Sequence, residues 1–239
     1  MHSIHILPER GSILLTAIRE FKGLAAENLR VVAESCQWHR YEESEDIVRY
    51  HDSTHCVFFI IQGEIRVKYY ALSGNEVILC DLPRGEIFGE LSAIDGRARS
   101  ATAVAKSTAM LASMPATTFQ NLLYKSEQIA EAILKRLAGQ VRRLTERVYE
   151  FSSLTLNNRI HAELLRLAEN HMISPNEAFI SPVIRSDIAN LVSTTRESVS
   201  REFSNLTERK IIKCQGRHEI HVIDVTKLAK IVSEVRGSF

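Results

Sequence analysis

A chain of 239 residues, 45% of them hydrophobic, has room for one or two domains with real cores. With 30 Lys and Arg against 29 Asp and Glu, bulk charge points to neither a nucleic acid nor an acidic partner. Cys36, Cys56, Cys80 and Cys214 form no CxxC pair, and no run approaches the roughly 18 apolar residues of a membrane span, so zinc, redox and membrane-spanning classes lack their signatures.

Residues 1–10 carry His2, His5, Glu9 and Arg10 and no apolar core of a signal peptide, so a cytoplasmic, reduced protein is expected. Residues 13–36 have helical spacing, from Ile13, Leu14, Ala17, Ile18 and Phe21 to Leu29, Val32 and Ala33. From Trp38 the texture changes. Short β-rich runs follow at Val57–Ile61, Ile65–Tyr70, Val77–Leu82, Ile87–Phe88, Ala101–Ala105 and Met110–Met114. Turn residues separate them, at Gln62-Gly63, Ser73-Gly74-Asn75, Pro83-Arg84-Gly85 and Asp95-Gly96. Many short strands with glycine turns predict a β-sandwich or barrel.

Near residue 117 the helical period returns. Leu137, Val141, Leu144, Val148 and Phe151 step by four and three in turn, which is a coiled-coil seam, flanked by Arg136, Arg142, Arg143, Glu146, Arg147 and Glu150. A helix packed on its own domain would need no such 3.5-residue repeat, so a dimer helix is preferred. Asn157-Asn158 predicts a hinge or cap, Arg159–Asn170 a further helix, and Ile173–Pro182, with two prolines, a loop. Two short helical segments and a β-ribbon complete the pattern.

Two segments carry chemistry. In Phe88-Gly89-Glu90-Leu91-Ser92-Ala93-Ile94-Asp95-Gly96-Arg97-Ala98-Arg99-Ser100-Ala101-Thr102, Gly89 lets backbone approach a ligand closely. Glu90 is an acceptor suited to a ribose hydroxyl. Arg99 is a fixed fork of donors suited to a phosphate, and Ser100 adds a hydroxyl. This run resembles the phosphate-binding cassette of cyclic-nucleotide-binding domains, including the nine-residue step from Glu90 to Arg99. The resemblance implies that Gly89, Glu90, Leu91, Arg99, Ser100 and Ala101 meet the ribose and cyclic phosphate. Retaining both Glu90 and Arg99 argues for a real ligand, because a buried arginine without an anion is costly. Arg99→Ala is then expected to weaken ligand binding and leave the fold intact.

The second segment, Arg185–Leu206, fits a helix-turn-helix. Ile188, Leu191 and Val192 form one apolar face, and Ala189 is small where two helices cross. Val199, Phe203 and Leu206 form the inner face of the second helix, which Thr195 can cap. Arg196, Glu197, Ser200 and Arg201 then point outward. Arg can bridge guanine O6 and N7, and Glu can accept from cytosine N4. Ser193 occupies the turn position that usually takes glycine with positive φ. The local charge, 7 basic to 4 acidic residues over 183–217, adds only weak support. Lys213, Arg217 and His218 on the ribbon are candidates for phosphate contacts.

Arg-Glu-Ser-Val-Ser-Arg at 196–201 resembles the recognition helix of the catabolite activator/fumarate–nitrate regulator superfamily, closest to its catabolite-activator branch. The resemblance implies an α+β protein. It would have a cyclic-nucleotide-binding β-barrel (jelly roll) over 1–125, a dimerisation helix over 126–156 and a winged helix-turn-helix over 157–239. It implies a homodimer on double-stranded DNA with a palindromic TGTGA-type site, an effector that is cyclic AMP or cyclic GMP, no metal, and RNA polymerase as a further partner. DNA contacts would come from Thr195, Arg196, Glu197, Ser200, Arg201 and Lys213. The dimer helix would touch the bound base through Leu144 and Thr145, and one hydroxyl beside one leucine leaves both nucleotides open. Rival readings keep the architecture but drop the ligand, or place haem on His51 or His55. An enzyme of the cupin kind lacks an H-x-H pair, and the chain lacks a nucleophile–base signature.

Overall fold

The computed structural model describes residues 2–70, 76–216 and 218–236. The chain divides into two compact units, Met1–Gly139 and Gln140–Phe239.

The first unit opens with β1 (His2–Ile4), α1 (Pro8–Leu15), a 3-10 turn at Arg19–Phe21 and α2 (Ala26–Glu34). The single helical stretch expected over 13–36 is thus broken. Ile18 and Lys22 leave the helical region and Gly23 turns with φ +85°, yet both helices send their apolar side chains to one core, which keeps the spacing continuous. The strands are β2 (Gln37–Tyr41), β3 (Asp46–Val48), β4 (Val57–Gln62), β5 (Ile65–Tyr70), β6 (Glu76–Leu82), β7 (Ile87–Phe88), β8 (Thr102–Ala105) and β9 (Ala109–Met114), with α3 (Glu90–Asp95) between β7 and β8. They form two sheets, ordered β1-β2-β9-β4-β7 and β3-β8-β5-β6, as expected for the two-sheet roll. The turn expected at Ser73-Gly74-Asn75 lies outside the described residues.

Strand β4 shows why the roll holds. Val57, Phe59 and Ile61 face one core with Phe21, Ile87 and Phe119, and alternate residues Phe58 and Ile60 face the other with Ile65, Phe88 and Leu111. Period-two alternation serves both faces because both are covered. Phe58 pairs with Phe88 and Phe59 with Ile87, so β4 sets the position of β7, and β7 delivers Gly89. α4 (Ala116–Lys125) follows, and Ser126 separates it from the 27-residue α5 (Glu127–Ser153), which spans both units.

In the second unit α6 (Leu156–Glu169) begins after Thr155, so the break falls at Leu154–Thr155. Asn157 and Asn158 sit in the first turn of α6, correcting the hinge expected there. β10 (Met172–Ser174) and β11 (Glu177–Ile180) replace the loop expected over 173–182. Ala178 and Ile180 are buried and pair with Val222 and Ile220, and Pro182 falls beyond the strand, where it removes no ladder bond. α7 (Arg185–Leu191), α8 (Arg196–Glu208), β12 (Ile212–Gln215) and β13 (Glu219–Val222) follow. The sheet order is β10-β11-β13-β12. α9 (Val225–Arg236), which carried no sequence expectation, covers this core through Leu228 and Val232. No helix among the described residues is long and apolar enough to cross a membrane.

Candidate functional site

The cassette is built at the end of β7. Gly89 has φ +79° and is the N-cap of α3, and Glu90 is buried in that helix's first turn. A Cβ on Gly89 would lie 2.6 Å from Arg99 Nη1 and 2.8 Å from the Cys56 carbonyl oxygen. The glycine is therefore demanded by close approach as well as by its backbone angle.

Arg99 lies only 3% exposed, and its donors turn inward. Nε donates to Thr54 Oγ1 at 3.1 Å, Nη1 to the Gly89 carbonyl at 3.1 Å and Nη2 to the Cys56 carbonyl at 2.8 Å. The guanidinium also stands 5.6 Å from the Phe58 ring centroid. Burial pulls its pKa down, against the nearby charges of Cys56, Asp52 and Glu90. The premise that this arginine needs an anion to be tolerated is thus corrected: its own chain supplies acceptors. Truncating Arg99 would take this donor from the carbonyls of Gly89 and Cys56, both half-buried residues, which weighs against the expectation that Arg99→Ala leaves the fold intact.

The backbone on either side of the cassette is held as well. Arg99 N donates to the Asp52 carbonyl at 2.9 Å, and His51 N donates to the Arg99 carbonyl at 3.0 Å. The Tyr69 hydroxyl donates to the Ser100 carbonyl, and Tyr50 packs edge-on against Tyr69 at 5.0 Å. Leu91 and Ser100 are exposed, and Ala101 is half-buried. His51 packs edge-on against Tyr50, and His55 Nε2 bonds the Gly96 carbonyl at 3.1 Å. Arg97 is exposed. Cys36 is half-buried against apolar side chains, and its desolvation pushes the thiol up to about 12.

A second group around β7 escaped the sequence reading. Arg136, on α5, donates to Glu86, to Glu20 Oε1 at 3.3 Å and to the Ile87 carbonyl at 2.5 Å. Burial opposes its charge, but the Glu86 hydrogen bond and the charges of Glu86, Glu90 and Glu20 outweigh that and leave its pKa raised. Burial raises the Glu20 carboxyl, partly offset by Arg136. The start of α5 is thereby fastened to the strand that leads into the cassette. Only a basic residue beside the seam hinted at this. Leu144 and Thr145 belong to the other unit. Leu144 is exposed, and the Thr145 hydroxyl donates to the Val141 carbonyl of its own helix at 3.0 Å.

The helix pair has the expected geometry. Thr195 is the N-cap of α8, its side chain accepting from Ser198 N at 3.3 Å. Arg196, Glu197 and Arg201 are exposed and Ser200 is half-buried, while Val199, Phe203 and Leu206 face the core. Hydrogen bonds from its own backbone N–H and from Thr195 hold the Glu197 carboxyl below its ordinary pKa. Ser193 takes φ +54°, as expected of the turn. Lys213 is exposed on β12, opposite His221 in register. His218 Nδ1 lies 3.3 Å from the Val183 carbonyl, and Arg217 is outside the described residues. A buried pair, His161 Nε2 to Glu202 Oε1 at 2.7 Å, ties α6 to the inner face of α8.

Residues 38–126 match the cyclic nucleotide-binding domain family, and residues 158–231 match the Crp-like helix-turn-helix domain family. The chain belongs to the catabolite activator/fumarate–nitrate regulator superfamily. Members of this superfamily are DNA-binding transcription regulators, and this chain is one, with a cyclic-nucleotide-binding domain. It is 26% identical over 185 residues to the cAMP-activated global transcriptional regulator CRP of Salmonella typhimurium, covering 76% of this chain and 88% of that protein. Among solved structures, a CooA mutant from Carboxydothermus hydrogenoformans matches with a TM-score of 0.76 at 19% identity, covering 85% of this chain and 90% of that one. CLP of Xanthomonas campestris, described as a c-di-GMP responsive global regulator, matches with a TM-score of 0.70 at 21% identity, covering 82% and 98%. At these identities the two structures share the superfamily's fold with this chain.

Proposed function

We propose that this chain is a cytoplasmic, cyclic-nucleotide-responsive regulator that acts as a homodimer on a palindromic TGTGA-type site. The observation that carries the reading is the state of α5. Its start is fastened by Arg136 to the strand entering the cassette. Further along, Leu134, Val141, Leu144, Val148 and Phe151 are all at least 40% exposed. Apart from the Arg159 guanidinium over the Phe151 ring, these side chains stay open to solvent among the described residues, and a stripe of that period is what a second copy of the same helix would bury.

The cassette then takes the effector. Gly89 and Glu90 offer backbone and carboxylate to the sugar, and Ser100 and Ala101 flank the phosphate. Three internal bonds leave Arg99 with two of its five N–H donors for the anion. Leu144 supplies apolar contact to the base and Thr145 a hydroxyl once it gives up its bond to Val141. The effector acts by preferring the dimer arrangement that presents both α8 helices to successive major grooves, so the response is a shift of populations. There Thr195 holds the helix start, Arg196 and Arg201 read guanines, Glu197 and Ser200 read the step between, and Lys213 meets a phosphate. RNA polymerase is the partner such a bound dimer would address.

Calorimetric titration with cyclic AMP and with cyclic GMP, followed by gel shift on a palindromic TGTGA duplex, tests this reading. Heat from one nucleotide and a tighter shift in its presence are expected. Arg196→Ala should weaken that shift by about 1–3 kcal/mol and relax the sequence preference. The engagement of Arg99 by its own chain favours a second reading, in which the same architecture works without a ligand or with another small effector. DNA binding unchanged by either nucleotide would select it.

A further inference from the structure

We propose that Arg147 is a positioning residue for DNA recognition: from the last turns of α5 it caps the C-terminus of α7 and so sets the direction in which α8 is offered to DNA. The last carbonyls of a helix have no partner inside it. In α7 the Ile188 carbonyl accepts from Val192 N at 3.0 Å and the Ala189 carbonyl from Thr194 N at 2.8 Å. The Leu191 carbonyl, at the helix's last residue, accepts instead from Arg147 Nη1 at 2.9 Å. A guanidinium suits this place, because the helix C-terminus carries partial negative charge.

Arg147 is not free to wander. Its Nη2 donates to Glu163 Oε2 on α6 at 3.1 Å. Glu163 also pairs with Arg166, and Arg166 returns to α5 through Glu150 at 2.9 Å. Glu150 and Glu163 are both buried. Two residues of α5 and two of α6 are thus linked by a chain of three ion pairs, and the Arg147 end of that chain reaches the end of α7. From that point the chain has only Val192, Ser193, Thr194 and Thr195 before α8 begins, with the turn committed at Ser193. Moving the Leu191 carbonyl therefore moves the start of α8, where Arg196 and Glu197 sit. A lysine has the charge but no planar fork, so it can serve Glu163 or the Leu191 carbonyl and not both in this geometry.

The inference rests on the homodimer reading, since a fixed helix direction matters most when two half-sites must be met together. The test uses the full chain as parent, R147Q and R147K, with fluorescent duplexes carrying one half-site, two at the native spacing, or two with one base pair inserted. R147Q is expected to bind the single half-site within twofold of the parent. It should bind the native palindrome at least tenfold more weakly, and its preference over the +1 spacing should flatten. R147K should fall between. Equal palindrome affinity and spacing preference in parent and R147Q would overturn the proposal. So would a parallel loss on the single half-site, which would make Arg147 a direct DNA contact or a general support of the helix pair. If R147Q does not fold, R147K with the spacing of the parent overturns it equally. Failure of the dimer reading shows separately, as a parent with no preference for two half-sites over one, and it takes this proposal with it.

Discussion

Replacing Arg99 by alanine separates a cassette arginine that only waits for an anion from one that also holds its own domain together. Three hydrogen bonds vanish, and the Gly89 and Cys56 carbonyls lose their donors. A hydrogen bond involving a charged group contributes about 1.5–3 kcal/mol. Against this stands the relief of no longer burying a guanidinium, which costs several kcal/mol before its partners are counted. The packing of the guanidinium on Phe58 adds about 1 kcal/mol of loss. A net destabilisation of about 2–4 kcal/mol follows, or a fall of roughly 8–16 °C in Tm at about 4 °C per kcal/mol.

Trp38 is the chain's one tryptophan and lies in the core of the first unit, so its fluorescence reports that unit's unfolding without the other's. Thermal scans of parent and Arg99→Ala followed at that tryptophan, without nucleotide, make the measurement. A midpoint within about 2 °C of the parent would refute the reasoning and return Arg99 to the role of a pure anion receptor.

Gly89→Ala should cost about 2–3 kcal/mol by the same scan, from positive φ and the contact with Arg99 Nη1, and about 1 kcal/mol of that should disappear in an Arg99→Ala background. Ser193→Gly should stabilise the second unit by roughly 0.5–1 kcal/mol in urea unfolding, since it relieves a residue held at φ +54°. At Asp81 burial works to raise the pKa, but hydrogen bonds and charge from Arg66 and Lys106 outweigh it and hold the carboxyl below its ordinary value. The folded form thus binds its proton less readily than the unfolded one, so the stabilisation is complete above about pH 4 and is lost as pH falls further. Asp81→Asn should lower the midpoint at pH 6, and the gap to the parent should close in scans taken down to pH 3.

What could be read along the chain follows from how local each signal is. The β4 and β9 runs alternate because both faces of their sheet are covered, and that pattern needs only neighbouring residues. The helix pair was legible because Thr195, Ser193 and the apolar positions around them lie within one stretch of about twenty residues. The cassette's residue types were legible for the same reason. The state of Arg99 was not: its acceptors Thr54 and Cys56 lie more than forty residues upstream, and nothing at 99 announces them. β10 and β11 were hidden by two prolines that fall outside the strands themselves. The interruption after α1 was hidden because hydrophobic spacing records which face is buried, and two helices that share a core keep that spacing across the break between them.

α5 carries this distinction furthest. Its seam residues step with one period, yet they meet different fates. Leu137 is tucked against the core of the first unit, whereas Val141, Leu144 and Val148 are exposed and Phe151 is partly open beside the Arg159 guanidinium. The charged residues beside the seam divide in the same way. Arg142 and Arg143 are exposed, while Arg136 and Arg147 each reach backbone carbonyls of another element, at Ile87 and Leu191. A repeat of seven cannot tell these arginines apart, because it counts position on one helix and not what stands opposite. Their separate duties follow from the two carbonyls they reach, one on the strand entering the cassette and one at the end of the first helix of the DNA-reading pair. If so, exchanging Arg136 or Arg147 for glutamine should harm the protein far more than the same exchange at Arg142 or Arg143, though all four flank one seam.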